Sequence, residues 1–87
     1  MTTIWMLLGM YGGRPIITAS EIARDFFQHL SAEKFIRKVD AGEIDIPLMR
    51  IEPSSKATRG VHVRDLAEYL DRRSDEAREV QRKIHGR

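Results

Sequence analysis

The side chains best suited to chemistry in this sequence are cations and hydroxyls gathered in two short stretches. The first holds Ser31, Glu33, Lys34, Arg37 and Lys38. If Phe35, Ile36 and Val39 mark the inward face of a helix, steps of about 100° per residue send Lys34 and Arg37 outward. Glu33 then lies beside them and Lys38 on the flank. On a helix entering a DNA major groove, an arginine can fork onto guanine, a lysine can reach guanine or phosphate, and a glutamate can accept from a cytosine amino group. The second stretch is the loop 53–60, with Ser54, Ser55, Lys56, Thr58 and Arg59, and Arg50 shortly before it. All of these can bond phosphate oxygens along the backbone or beside the minor groove. A solvated helix face and any exposed loop also look polar, so the surrounding frame has to decide.

Other chemistry finds little support. There is no cysteine, which removes disulfides, iron–sulfur clusters and cysteine-rich zinc sites. His29, His62 and His85 are far apart, and no ligand spacing links them to a carboxylate. Gly9, Gly12 and Gly13 lack the Lys-Ser/Thr ending of a phosphate loop. Ser54 and Ser55 have no nucleophile-elbow context. The sequence therefore predicts no enzyme, cofactor or metal.

The frame is built from local signals. An apolar run over residues 4–11 predicts a first helix from about Thr3 to Met10, within 1–11, ended by Gly12-Gly13 and barred from continuing by Pro15. Residues 15–17 read as a short extended segment. Thr18 and Glu21 form a capping box for a second helix reaching about residue 28, whose apolar face is Ile22, Ala23, Phe26 and Phe27. His29-Leu30 make a tight turn. Ser31 caps a third helix over 32–41, and Gly42 ends it. Two such helices joined by a short turn are a helix-turn-helix, within 18–41. Branched residues over 46–51 predict a strand, 53–60 a loop, and 61–63 a second strand, so that 46–63 is a hairpin wing. A last helix is expected over 64–84, with Leu66, Leu70, Ala77, Val80 and Ile84 on one narrow stripe that Arg73 interrupts. The distal part, Ala77, Val80 and Ile84, could serve self-association.

Size and charge agree with that frame. Eighty-seven residues make one domain with one small core, and leave no room for a deep cleft. The apolar run near the N-terminus is far short of the roughly 20 residues that span a bilayer and has no preceding cation, so a cytoplasmic protein with no membrane role is expected. The net charge of +2 is modest. All of the excess falls in 31–64, where Lys34, Arg37, Lys38, Arg50, Lys56, Arg59 and Arg64 face five acids. The segments on either side are neutral.

Specific blocks of residues add a resemblance. They are Tyr11-Gly12-Gly13; Arg24-Asp25-Phe26-Phe27 with His29-Leu30; Glu33-Lys34-Phe35-Ile36-Arg37-Lys38-Val39; Ala41-Gly42-Glu43-Ile44; Ile46-Pro47-Leu48-Met49-Arg50-Ile51-Glu52; Lys56; and Gly60-Val61-His62 with Asp65-Leu66-Ala67-Glu68-Tyr69. In that order and spacing, over about residues 4–73, the chain resembles the pyocin activator protein PrtN family of phage-derived bacterial regulators. The resemblance implies a small DNA-binding activator of phage-tail-like bacteriocin or other prophage genes, acting at repeated boxes upstream of their promoters. The layout also looks like phage excisionases and MerR-type DNA-binding domains.

The resulting expectation is a mainly α chain with a small β-hairpin wing, a winged helix-turn-helix with a long C-terminal helix, formed by residues 1–87 as one domain. Double-stranded DNA is the expected partner, with RNA polymerase and a homodimer or cooperative oligomer on DNA as further candidates. Lys34, Arg37 and Glu33 would read bases, while Lys38, Lys56 and Arg59 would hold phosphates; Arg50 could do the same from the strand or instead pair inside the fold. Two alternatives stay open. One is an excisionase-like architectural protein that coats and bends DNA. The other is a protein-interaction module working through the last helix.

Overall fold

The structure is a computed structural model that describes residues 2–86. Its elements are α1 (Thr2–Met10), β1 (Ile16–Thr18), α2 (Ala19–Phe26), α3 (Ala32–Asp40), β2 (Met49–Arg50), β3 (Arg59–His62) and α4 (Val63–His85). The fold is mainly helical, with a small three-stranded antiparallel sheet and a long last helix, and it fits a winged arrangement.

Local chemistry sets the helix starts. Thr18 accepts from the Glu21 amide while the Glu21 carboxylate accepts from the Thr18 amide, the reciprocal box expected for α2. Ser31 accepts from the Lys34 amide at 3.2 Å and opens α3. That helix ends where Gly42 turns the chain at φ +79°, a left-handed conformation that costs glycine nothing. His62 caps α4, its Nδ1 accepting from the Arg64 amide at 3.0 Å. The histidine expected within a strand is thus that strand's last residue and also a helix cap.

The sheet departs from the expected hairpin. Its strand order is β1-β3-β2, with β3 central. Of the segment expected to be merely extended, 15–17, Ile16 and Ile17 join Thr18 in β1, which pairs with β3 through Ile16↔His62, Ile17↔Val61 and Thr18↔Gly60. Sequence offered no hint of this pairing, because its two strands lie more than 40 residues apart. Of the strand expected over 46–51, only Met49 and Arg50 enter the ladder. Upstream of it, Ile44 and Ile46 are buried and Leu48 is half-buried, so alternate side chains dock this extended stretch on the core. Pro47, with no N–H to donate, interrupts any ladder there. The second strand begins earlier than expected, at Arg59, and Val63 already belongs to α4. Gly60 allows the close approach of β1 to β3: a Cβ there would lie 2.7 Å from the Ile17 carbonyl oxygen.

One core joins these parts. Phe35, Ile17, Ile22, Leu66 and Val61 are its largest fully buried side chains. Each contributes about 1.5–3 kcal/mol by leaving water. Second-helix residues Ile22 and Ala23 are buried as expected, while α2 stops at Phe26, short of residue 28. Phe27 leaves the helix and stacks at 4.9 Å from Phe35. Along the opposite side, α1 packs on the first half of α4, where Thr3 donates to Asp71 at 2.6 Å. Beyond Asp71, every described residue of α4 is exposed. The distal half therefore stands clear of the body, and the molecule as a whole measures 52 × 29 × 21 Å.

Candidate nucleic-acid interface

Burying Phe35 fixes how α3 is rotated. Ile36 and Val39 are half-buried beside it, and Glu33, Lys34 and Arg37 lie exposed on the other side. Lys34, Arg37, Lys38, Ala41 and Glu43 line a shallow groove of about 380 Å³ along this face. Lys38 is held by Glu43 at 3.1 Å. No ion pair engages Lys34 or Arg37 among the described residues. The Ser31 hydroxyl is exposed but already caps the helix.

The wing is narrow and closed at its base. Met49 pairs with Gly60 and Arg50 with Arg59. The Ile51 amide then donates to the Thr58 carbonyl at 3.1 Å, extending the hairpin beyond the ladder. At the tip, Ser54 accepts from the Lys56 amide at 3.2 Å through its hydroxyl, and its carbonyl accepts from Ala57 at 3.1 Å. Ser55, Lys56 and Thr58 are exposed around this turn, and Ser54 is half-buried. Of the loop's hydroxyls, that of Ser54 is therefore already engaged in shaping the turn.

Arg59 is displaced from the expected setting. It sits in β3, outside the loop, with its side chain only 18% exposed. Both terminal nitrogens donate to Asp40 at the end of α3, at 2.9 and 3.0 Å. The guanidinium bonds hold the Asp40 carboxyl below its ordinary range, and the nearby Arg50 charge acts in the same direction. A two-pronged bond of this kind fixes orientation as well as distance. It joins the end of α3 to the base of the wing. Sequence could not show this, because the partners are 19 residues apart and both carry ordinary surface side chains.

Other ties brace the frame. Arg72 on α4 donates to the Asp45 carbonyl at 2.8 Å, anchoring the segment between α3 and the wing. Arg14 donates to Glu21 through both terminal nitrogens at 3.1 and 2.6 Å. With the bond from the Thr18 amide, this pulls the Glu21 carboxyl down to about 2. The Tyr11 hydroxyl donates to Asp25 at 2.6 Å. Among the described residues, no group of three or more His, Cys, Asp or Glu side chains is arranged to hold a metal, and no helix is long and apolar enough to cross a membrane.

The structure thus brings Lys34, Arg37 and Lys38 together on one helix face. Arg50, Lys56, Ser55 and Thr58 lie on the wing, and Arg59 links the two. Ala77, Val80 and Ile84 lie apart, on the free half of α4. A family described as pyocin activator protein PrtN matches residues 3–77. No curated protein and no solved structure matches the chain.

Proposed function

The chain belongs to the pyocin activator protein PrtN family, and from that premise we propose that it is a sequence-specific, double-stranded-DNA-binding transcriptional activator of pyocin-like or other prophage genes. In this reading α3 enters the major groove. Lys34 and Arg37 read base edges, with Glu33 beside them, and Lys38 and Ser31 lie toward the phosphates. The wing runs along the backbone or minor groove through Arg50, Lys56, Ser55 and Thr58, with Ser54 shaping its tip. Arg59 acts as a positioning residue, holding the wing against the end of α3.

The observation that carries this reading is the exposed pair Lys34 and Arg37, free of acidic partners, on a helix tied to a basic wing. Four cations remain for phosphates or bases once Lys38 and Arg59 are set aside with their carboxylates: Lys34, Arg37, Arg50 and Lys56. With Lys34 and Arg37 on bases, Arg50 and Lys56 are left for the backbone, and neutralising about two phosphates gives a slope of about −1.8 for log affinity against log salt. Fluorescence anisotropy on DNA from upstream of phage-tail-like bacteriocin genes checks this across a salt series. Binding with a slope near that value supports the reading. An absence of salt-sensitive binding on any such DNA overturns it.

The excisionase-like alternative draws on one observation of its own. Ile51 is an exposed apolar side chain at the base of the wing, the kind of group that can wedge between base steps and kink a duplex. Energy transfer between dyes at the two ends of a bound duplex separates the readings, since a bend shortens that distance and straight binding does not.

A further inference from the structure

The free half of α4 has a pattern that its own fold does not use. Ala77, Val80 and Ile84 continue the line of Leu66 and Leu70, but past Asp71 nothing covers them. Val80 is 58% exposed and Ile84 62%. On the same helix, Glu76 and Lys83 are seven residues apart and flank the stripe on one side. A second apolar surface lies on α1, a helix without a charged residue. Ile4, Leu7 and Leu8 face the core, while Trp5, Met6 and Met10 point away from it, with Trp5 71% exposed.

We propose that two copies of the chain pair antiparallel through the free halves of α4, Ala77 and Val80 of each against the partner's Val80 and the partner's Ala77, with the Trp5 and Met6 face of α1 packed on the end of the partner's helix. Charge selects both the occupant and the direction. An antiparallel pair brings like flanks together, so each Glu76 lies within a turn of the partner's Lys83, and the two-fold axis makes that contact twice. A parallel pair leaves Lys83 with no acid opposite. The same register sets the partner's Ile84 beside Arg73, whose guanidinium is bonded to Glu76 and whose alkyl stem can cover an apolar neighbour.

Area requires α1 to take part. Fewer than two heptads of α4 are a weak seam alone. Adding the exposed Trp5 and Met6 to Val80 and Ile84 gives on the order of 500 Å² per copy, or about 1,000 Å² for the pair, the least that a specific interface should bury. The register allows it. Asp71 is bonded to Thr3, so a partner helix ending opposite residues 72–73 stops beside the first turn of α1. This pairing does not depend on the DNA reading, and its test contains no DNA.

Sedimentation equilibrium of the full chain across a micromolar dilution series tests it, with Trp5, the sole tryptophan, as an optical probe. The mass should rise from 10.1 kDa toward twice that value, with Trp5 emission moving to the blue in step. The V80E/I84E variant should stay monomeric with unchanged helix content, since both side chains are outside the core. E76K should weaken the dimer about fivefold and E76K/K83E restore it, as two exposed ion pairs are lost and then re-formed reversed. The pairing is overturned by a wild-type chain that remains monomeric at its solubility limit, or by a V80E/I84E variant that still dimerises. Emission that does not move while the mass doubles overturns the place given to α1.

Discussion

The two edges of the small sheet contrast sharply. On one side of β3, three residues of β1 pair in register, and Ile17 and Val61 are fully buried where these strands pack on α2 and α4. On the other, two residues of β2 pair, and both are exposed. One edge belongs to the core, while the other is carried by it. The contrast explains how a small protein can carry an exposed wing without weakening its fold. The strand that holds the wing, β3, is anchored by β1, so the wing itself needs few apolar contacts.

The strongest test of this contrast replaces one side chain on each edge. Ile17→Ala leaves a cavity in the core and should cost about 2–4 kcal/mol in urea unfolding. Met49→Ala, at a side chain 38% exposed, should cost no more than about 0.5 kcal/mol. Similar costs at both sites would show that the wing is part of the core after all. Next in size is Arg37→Ala. On the proposed function it should lose about 1–3 kcal/mol of discrimination at one base position while leaving the unfolding midpoint unchanged. Equal loss on specific and random DNA would remove Arg37 as a reader. Lys56→Ala should weaken binding to all sequences alike and reduce the salt slope by about one.

Acid provides a smaller and more selective test. The Glu21 carboxyl is pulled down from 4.5 to about 2, chiefly by the bonds from Arg14 and then by that from the Thr18 amide. A depressed carboxyl stabilises the fold above its unfolded value, and that contribution fades as pH falls from about 4.5 toward 2. Glu21→Gln should therefore flatten the stability curve in that window while leaving its shape near neutrality unchanged. Glu21 lies directly after β1, so the window reports on the anchored edge. The Asp40 carboxyl beside the wing is also depressed by its arginine and should soften in the same direction. Asp40→Asn should accordingly speed amide exchange in the wing without moving the exchange of Ile17 and Val61.

Much of the frame was legible because its signals are local. Thr18 and Glu21, Ser31, and Gly42 each act within one turn of chain, so composition and spacing revealed both α2 and α3 and the end of α3. The rotation of α3 followed from Phe35, Ile36 and Val39 for the same reason. What escaped was pairing at a distance. Residues 16–18 look like a linker until Val61 lies beside Ile17. Arg59 looks like a loop cation until Asp40 comes within reach. The excess of the strand expected over 46–51 has a related cause: Ile44, Ile46 and Leu48 have strand periodicity, but they are docked by side chains where Pro47 prevents a ladder. The site residues followed the same division. Lys34 and Arg37 appear where helix periodicity sends them, while Arg59, expected to hold a phosphate, is bonded to Asp40.

On the proposed function, that bond has a consequence for how tightly the chain holds a duplex. A helix and a loop that contact one duplex independently would bind with separate affinities, and the second would have to be found anew each time. Joined by the bond between Arg59 and Asp40, they share one orientation. In that reading, once α3 is seated, the wing meets its stretch of backbone at an effective concentration in the millimolar range or above, with little further ordering to oppose it. Loosening the bond would leave both contact surfaces intact and yet let each bind and release alone, so the loss would appear mainly as faster dissociation.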